Sequence, residues 1–212
     1  MIEIKDSPIH GVGVFATQFI PKGTHITKYN DARVFKDTEL TDKDQVTRLE
    51  LDYVFRAADG KVLVPDYKLR DVSQCGQLIN DAANVDAIPN DTVIEPHLKS
   101  IIRYYKSPYN AALNENIRAL KDIQPGEEIL TLYGYGYWAT RATKRLELPW
   151  EILYITNLFK EHDIVNIVAE MKNEDDIIAF IKCCLAYGKE LRAPTDKVKP
   201  PSTLRVEVVP AS

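Results

Sequence analysis

The chain has 212 residues, 45% of them hydrophobic, which is enough for one substantial domain or a domain with a smaller companion. A formal net charge of −4 argues against a general nucleic-acid binder, which would carry a basic face, so no direct nucleic-acid contact is expected. No apolar run reaches membrane-spanning length and Met1-Ile2-Glu3-Ile4-Lys5-Asp6 carries no signal-peptide core, so the chain reads as soluble and intracellular, with no membrane partner.

Ile2 to Lys5 alternates apolar and polar residues and predicts a short strand. Ser7-Pro8-Ile9-His10-Gly11-Val12-Gly13 then leads into the apolar Val14-Phe15-Ala16. The two glycines are read as a tight turn entering a strand or as backbone laid open to a ligand. No third glycine, following helix or suitably spaced acid supports a dinucleotide fold. Phe19-Ile20-Pro21-Lys22-Gly23 is a second turn, and Thr24 to Tyr29 alternates as a strand ending at Tyr29-Asn30. Thr41 to Asp44 resembles a cap for a helix running to about Val54, and Asp59-Gly60 predicts a hairpin leading into Val62-Leu63-Val64.

Gln74 to Asn84 carries an apolar tripeptide into Asn80-Asp81, whose side chains suit either an Asx turn or the reading of a ligand's polar edges. Val85 to Lys99 is rich in Pro, Asn and Asp and is expected to be loop. Ser100 to Tyr105 is expected to be a strand, and Pro108 to Asn114 a hairpin loop. Ile117 to Lys121 and Ile129 to Leu132 read as strands joined through Gln124-Pro125-Gly126. Pro presets φ at the first central position of that turn and Gly accepts φ > 0 at the second. Tyr133-Gly134-Tyr135-Gly136-Tyr137-Trp138 makes a poor helix by composition. It is read as tyrosines packed into a β core or as an aromatic wall with hydroxyls at its edge.

Beyond Trp138 the pattern turns helical. Helices are expected over Ala139 to Leu146, Trp150 to Glu161 and Ile164 to Met171, the last capped by Asp163. A final helix is capped by Asn173, carries Glu174, Asp175 and Asp176 in its first turn, and stops near Gly188. Pro194 to Ser202 reads as a linker, and Thr203 to Val209 as an edge strand or a tail. The apolar stripes of the helices suit a core or a homodimer interface alike. Cys75, Cys183 and Cys184 offer no zinc pattern and are read as small apolar core residues of a protein in a reducing compartment.

The glycine turn, the Asn-Asp segment and the Tyr-Gly stretch occur in one order. Gly11-Val12-Gly13-Val14-Phe15-Ala16 with Ile20-Pro21-Lys22-Gly23, then Gly76-Gln77-Leu78-Ile79-Asn80-Asp81, then Ala119 to Ile123 with Gly126-Glu127-Glu128-Ile129 and Tyr133-Gly134, together resemble the SET domain of protein lysine methyltransferases. The resemblance covers about residues 1 to 140 and is similar to compact viral and bacterial forms without cysteine-rich zinc regions. It implies a mostly β fold with some α: small sheets whose C-terminal segment passes beneath a loop as a pseudoknot, followed by a helical region over 141–190 and a Pro-containing tail over 191–212.

The implied activity is S-adenosylmethionine-dependent methylation of a lysine side chain in a protein, a histone or histone-like substrate first. A histone substrate would place the protein in a nucleus, and another substrate in the cytoplasm. Tyr133 is the implied catalytic tyrosine. Tyr135 would line the lysine channel, with Tyr105, Tyr29 and Tyr53 as further wall candidates that serve equally as plain core. Backbone at Gly11, Val12 and Gly13 would hold the cofactor's amino-acid end. Asn80 would bind its polar atoms, Asp81 would lie near the adenine, and Trp138 or Trp150 would stack on it. No metal is implied. Asp81 stands where the family usually has His, and Gln77 where Arg is common. The helices after Ala139 are expected to complete the channel in place of a zinc-bound lid. The alternative is a catalytically degenerate SET-like module that binds a protein partner. A third reading, an unrelated β protein with a helical tail, requires three ordered motifs to coincide.

Overall fold

Turns punctuate the first 130 residues so closely that, among the described residues, no strand exceeds five residues, and the sheets are correspondingly small. The computed structural model describes residues 1–36, 52–57, 59–83, 88–90, 92–142, 149–161, 171 and 173–192. These gather into two compact units, one from 1–83 with 108–133 and the other from 84–107 with 134–212. The division is not linear along the chain.

In the first unit, strands β1 (Ile2–Asp6) and β2 (Val12–Ala16) form an antiparallel ribbon. Strand β3 (His25–Lys28) pairs with β9 (Asn116–Ala119), which also pairs with β8 (Ala111–Ala112). Strands β4 (Arg33–Lys36) and β5 (Phe55–Arg56) flank β6 (Lys61–Val64), and the Asp59-Gly60 hairpin lies where the sequence places it. Strand β7 (Asn80–Asp81) pairs in parallel with β10 (Leu130–Thr131). The inward positions of these segments, among them Val14, Ile20, Ile79, Ile117, Ile123 and Ile129, form one buried cluster. Each such side chain contributes about 1.5–3 kcal/mol by leaving water. The Gln124-Pro125-Gly126 turn closes with Glu127 N–H donating to Gln124 O at 3.1 Å, and Gly126 takes φ +85°. That is the geometry a Pro-Gly pair selects.

The second unit is helical: α1 (Ile94–Tyr105), α2 (Tyr135–Ala142), α3 (Trp150–Glu161) and α4 (Glu174–Arg192). Helix α1 corrects two sequence expectations, the loop through Lys99 and the strand over Ser100 to Tyr105. Its buried residues include His97, Leu98, Ile101, Ile102 and Tyr104, a helical stripe. Pro96 sits in the first turn, where its missing N–H costs nothing. Read alone, Ile101 to Tyr105 is too short an apolar run to tell strand from helix.

Helix α2 starts four residues earlier than the sequence suggests, because Tyr135 and Ala139, one turn apart, are both fully buried. Arg141 supports it by lying over the Tyr137 ring, 3.4 Å from the centroid. Helix α3 matches its expected span and buries Ile152 and Ile155. Asn173 caps α4 as expected, Oδ1 accepting from Asp175 N–H at 2.9 Å.

Gly188 does not stop α4, which continues to Arg192. A Cβ there would stand 2.7 Å from the Tyr154 ring, so this glycine marks the close approach of α3 and α4. Cys75 is buried and Cys184 half-buried, but Cys183 is exposed on α4, correcting its reading as core. Its neighbours Ile181 and Leu185 face inward instead. The helix read over Thr41 to Val54 falls mostly outside the described residues, with Asp52 and Tyr53 forming a turn at its end. The segments read at Ile164 to Met171, Pro194 to Ser202 and Thr203 to Val209 lie outside the described residues, apart from Met171. Among the described residues, no helix is long and apolar enough to cross a membrane.

Candidate active site

The two-residue parallel pairing of β7 with β10 sets Leu130 opposite Asn80 and Thr131 opposite Asp81. The chain leaving β10 therefore enters Tyr133 beside residues 79–83. Tyr133 is fixed there at both ends. Its backbone N–H donates to Asp81 Oδ2 at 2.8 Å, and its hydroxyl donates to Ile79 O at 2.7 Å. Asp81 is buried, and its Oδ1 accepts Ala83 N–H at 2.8 Å. A carboxylate with two acceptor atoms serves two backbone donors at once. Ala82 N–H adds a bond to Thr131 O at 2.9 Å.

Asn80 faces the glycine turn. Its Nδ2 lies 3.1 Å from both His10 O and Val12 O and 2.9 Å from Glu128 Oε1. Three acceptors around one nitrogen fix the orientation of the amide. Its Oδ1 makes no hydrogen bond among the described residues. The turn is shaped by Ser7, whose N–H donates to Gly11 O at 2.8 Å and whose Oγ accepts Ile9 N–H at 3.0 Å. Gly11 is exposed at φ +51°, and no atom lies within 4 Å of where its Cβ would be. Gly13 is the opposite case: a Cβ there would meet Glu128 Oε1 at 2.2 Å. Gly11, Val12, Gly13, Asn80, Asp81 and Tyr133 are thus brought into one neighbourhood of the first unit.

These residues fit the amino-acid end of S-adenosylmethionine. Asn80 Oδ1, without a hydrogen bond among the described residues, is an acceptor suited to an ammonium group, and it lies beside open backbone at Gly11.

Tyr29 and Tyr53 also belong to the first unit. Tyr29 hydroxyl donates to Tyr53 O at 2.5 Å, and its ring lies 5.1 Å from Phe55. Tyr53 stacks on Tyr67 at 5.4 Å with the planes 14° apart. Gln77 is buried, its Nε2 donating weakly to Asp66 O at 3.4 Å, while its Oε1 has no partner among the described residues.

Tyr105, Tyr135, Trp138 and Trp150 belong to the second unit. Tyr135 is fully buried, with its hydroxyl 2.6 Å from His97 Nδ1 and its ring edge-on to Tyr104. Burial pushes the Tyr135 phenol far above the ordinary tyrosine range, against a smaller lowering by its hydrogen bond with Ser100. Tyr105 meets Tyr104 edge-on at 5.1 Å. Trp138 contacts Tyr137 at 4.9 Å, and Trp150 contacts Tyr154 at 5.7 Å. Among the described residues, no group of three or more His, Cys, Asp or Glu could hold a metal ion.

Sequence reasoning did not find Glu128, Ser7 or Asn110. Asn110 Nδ2 donates to Glu128 O and its Oδ1 accepts Leu130 N–H, both at 2.8 Å, which steers the chain into β10. Glu128 stands within the Gly126-Glu127-Glu128-Ile129 motif, but the motif alone assigns it no role. Its partners lie 48 and 121 residues away in the chain, beyond the reach of local pattern.

A family model described as the SET domain matches residues 11–134, more than half of the chain. Among solved structures, a Plasmodium falciparum chain described as a histone methyltransferase is 22% identical, with 65% of this chain and 96% of that one covered and a TM-score of 0.36. The methyltransferase domain of human PR domain-containing protein 2 is 19% identical, with coverages of 61% and 74% and a TM-score of 0.35. No curated protein matches the chain in sequence. The matched span contains the glycine turn, the Asn80 strand and the closing segment through Tyr133, and the chain belongs to the SET-domain family.

Proposed function

We propose that this protein transfers a methyl group from S-adenosylmethionine to the side-chain amine of a lysine in a protein substrate. The observation that carries the reading is Tyr133, a tyrosine fixed at backbone and hydroxyl by residues 79–83 next to the glycine turn. When bound, S-adenosylmethionine supplies an electrophilic methyl group on a positively charged sulfur, which a neutral amine displaces in line.

The protein's part is alignment, worth most when the reacting atoms are held at near-attack distance. The Tyr133 hydroxyl has its hydrogen committed to Ile79 O, so toward an amine its oxygen acts as acceptor. An amine N–H donating to that oxygen has its lone pair turned elsewhere, and Tyr133 selects that direction. Lysine must first lose a proton from a reference pKa of about 10.4. A channel that excludes water would disfavour the charged form. The glycine-turn carbonyls and Asn80 would hold the cofactor's amino-acid end. Asp81 acts through Tyr133 and the 79–83 backbone, a task that a carboxylate performs without an imidazole.

The substrate class assigned is a basic, lysine-bearing segment such as a histone tail, which suits a chain of net charge −4. The test is transfer of labelled methyl from S-adenosylmethionine to histones and a panel of lysine-rich proteins. Label on lysine with the wild type, lost in Tyr133→Phe while calorimetry shows cofactor binding intact, supports the reading. Absence of cofactor binding by the wild-type protein overturns it in favour of a SET-like binding module.

A further inference from the structure

Glu128 follows a plain Pro-Gly turn and would pass as a solvated acid, yet its side chain is half-buried at the centre of the candidate site. Oε2 accepts the Ser7 hydroxyl at 2.9 Å, and Oε1 accepts Asn80 Nδ2 at 2.9 Å. Ser7 and Asn80 are themselves the two residues that shape the glycine turn from opposite ends. Ser7 Oγ accepts Ile9 N–H, and Asn80 Nδ2 reaches the carbonyls of His10 and Val12. The carboxylate also occupies the space where any side chain at position 13 would project. Its own backbone is held on both sides: Glu128 O accepts Asn110 Nδ2, and Ile129 N–H donates to Val14 O at 2.7 Å.

We infer that Glu128 is a positioning residue for methyl transfer, a clamp that holds the Ser7–Gly13 turn against Asn80 and so sets the surface that receives the cofactor. The inference rests on the methyltransferase reading, but the clamp has a geometric consequence independent of any ligand. Both bonds of Glu128 come from neutral donors, so an amide in its place can keep them: Gln Oε1 accepts Asn80 Nδ2, and the Ser7 hydroxyl rotates to accept the amide N–H. Alanine loses both. Hydrogen bonds to a charged acceptor are the stronger kind, so their loss should be large enough to measure.

The test takes the full chain as wild type, Glu128→Gln and Glu128→Ala, and measures S-adenosylmethionine affinity by calorimetry, kcat and KM on the best labelled substrate, and amide exchange at Ile9 and His10. In Glu128→Ala the clamp predicts cofactor affinity down by at least about tenfold. It also predicts KM for the cofactor raised more than kcat is lowered, and faster exchange at Ile9 and His10. Glu128→Gln should restore all three to within about threefold of wild type. Gly13→Ala should lower Tm strongly in the wild-type background and much less beside Glu128→Ala, because the clashing carboxylate is gone. Wild-type affinity in Glu128→Ala, or equal Gly13→Ala costs in both backgrounds, overturns the inference. If the wild type binds no S-adenosylmethionine, the methyltransferase reading fails, and unchanged exchange and additive Tm effects then overturn the clamp on their own.

Discussion

Asp81 accepts the backbone N–H of Tyr133 at 2.8 Å across 52 residues of sequence. The bond makes the placement of a candidate catalytic tyrosine depend on a carboxylate that itself touches no reacting atom. Asp81→Asn retains one acceptor oxygen and turns an N–H toward one of two backbone donors. The expected result is a loss of about 1–3 kcal/mol in urea unfolding. Methyl transfer should fall with it, while Asp81→Glu, which keeps both acceptors, restores part of the activity.

Tyr133→Phe tests the other end of the same residue. It leaves the ring in place and frees Ile79 O. Stability should drop by only about 0.5–1.5 kcal/mol, whereas kcat should fall by far more than this change implies. Thermal melting and labelled-methyl turnover on one preparation separate the two effects.

Tyr135 carries a pH signature. Its phenol is held protonated by burial, so its folded-state pKa lies above the unfolded value of about 10. Above that pH the unfolded chain releases the proton and the folded one keeps it. The unfolded state therefore binds fewer protons, and stability falls as pH rises. For this group the slope approaches about 1.4 kcal/mol per pH unit until the folded-state pKa is reached. Urea melts at pH 9 to 11 should show a shallower decline in Tyr135→Phe, cysteine and other tyrosine ionisations being common to both proteins.

Gly188→Ala opposes two effects. In an exposed helix interior the change would stabilise by about 1 kcal/mol. Here the new methyl would stand 2.7–3.0 Å from Tyr154 ring and hydroxyl atoms, and crowding of a packed ring costs about 1–3 kcal/mol. A net fall in Tm is expected, reversed in sign when Tyr154 is replaced by Leu.

Local chemistry made much of the first unit legible. Pro125-Gly126 and Asp59-Gly60 announce their turns, and Gly11, Asn80 and Tyr133 stand out against their surroundings. What stayed hidden depends on partners distant in sequence. Glu128 is an ordinary acid until Ser7 and Asn80 arrive beside it. Gly188 reads as a stop because the Tyr154 ring that requires it lies on another helix. Helix α1 is hidden for a different reason, since its central apolar run satisfies both periods and only the burial of His97 and Leu98 with Ile101 decides between them.

The two-residue β7–β10 pairing has a consequence for how this protein comes into being. It joins segments 50 residues apart, and its loop-closure entropy must be offset before Tyr133 is held at all. On the ribosome the β1–β2 ribbon and the β4–β6–β5 sheet can form while the chain is still being made. Asn80 and Asp81 then wait for residues 128 to 133 to emerge. A chain released before Tyr133 would therefore carry the ribbon and that sheet but lack the pairing that gathers Asn80, Asp81 and Tyr133.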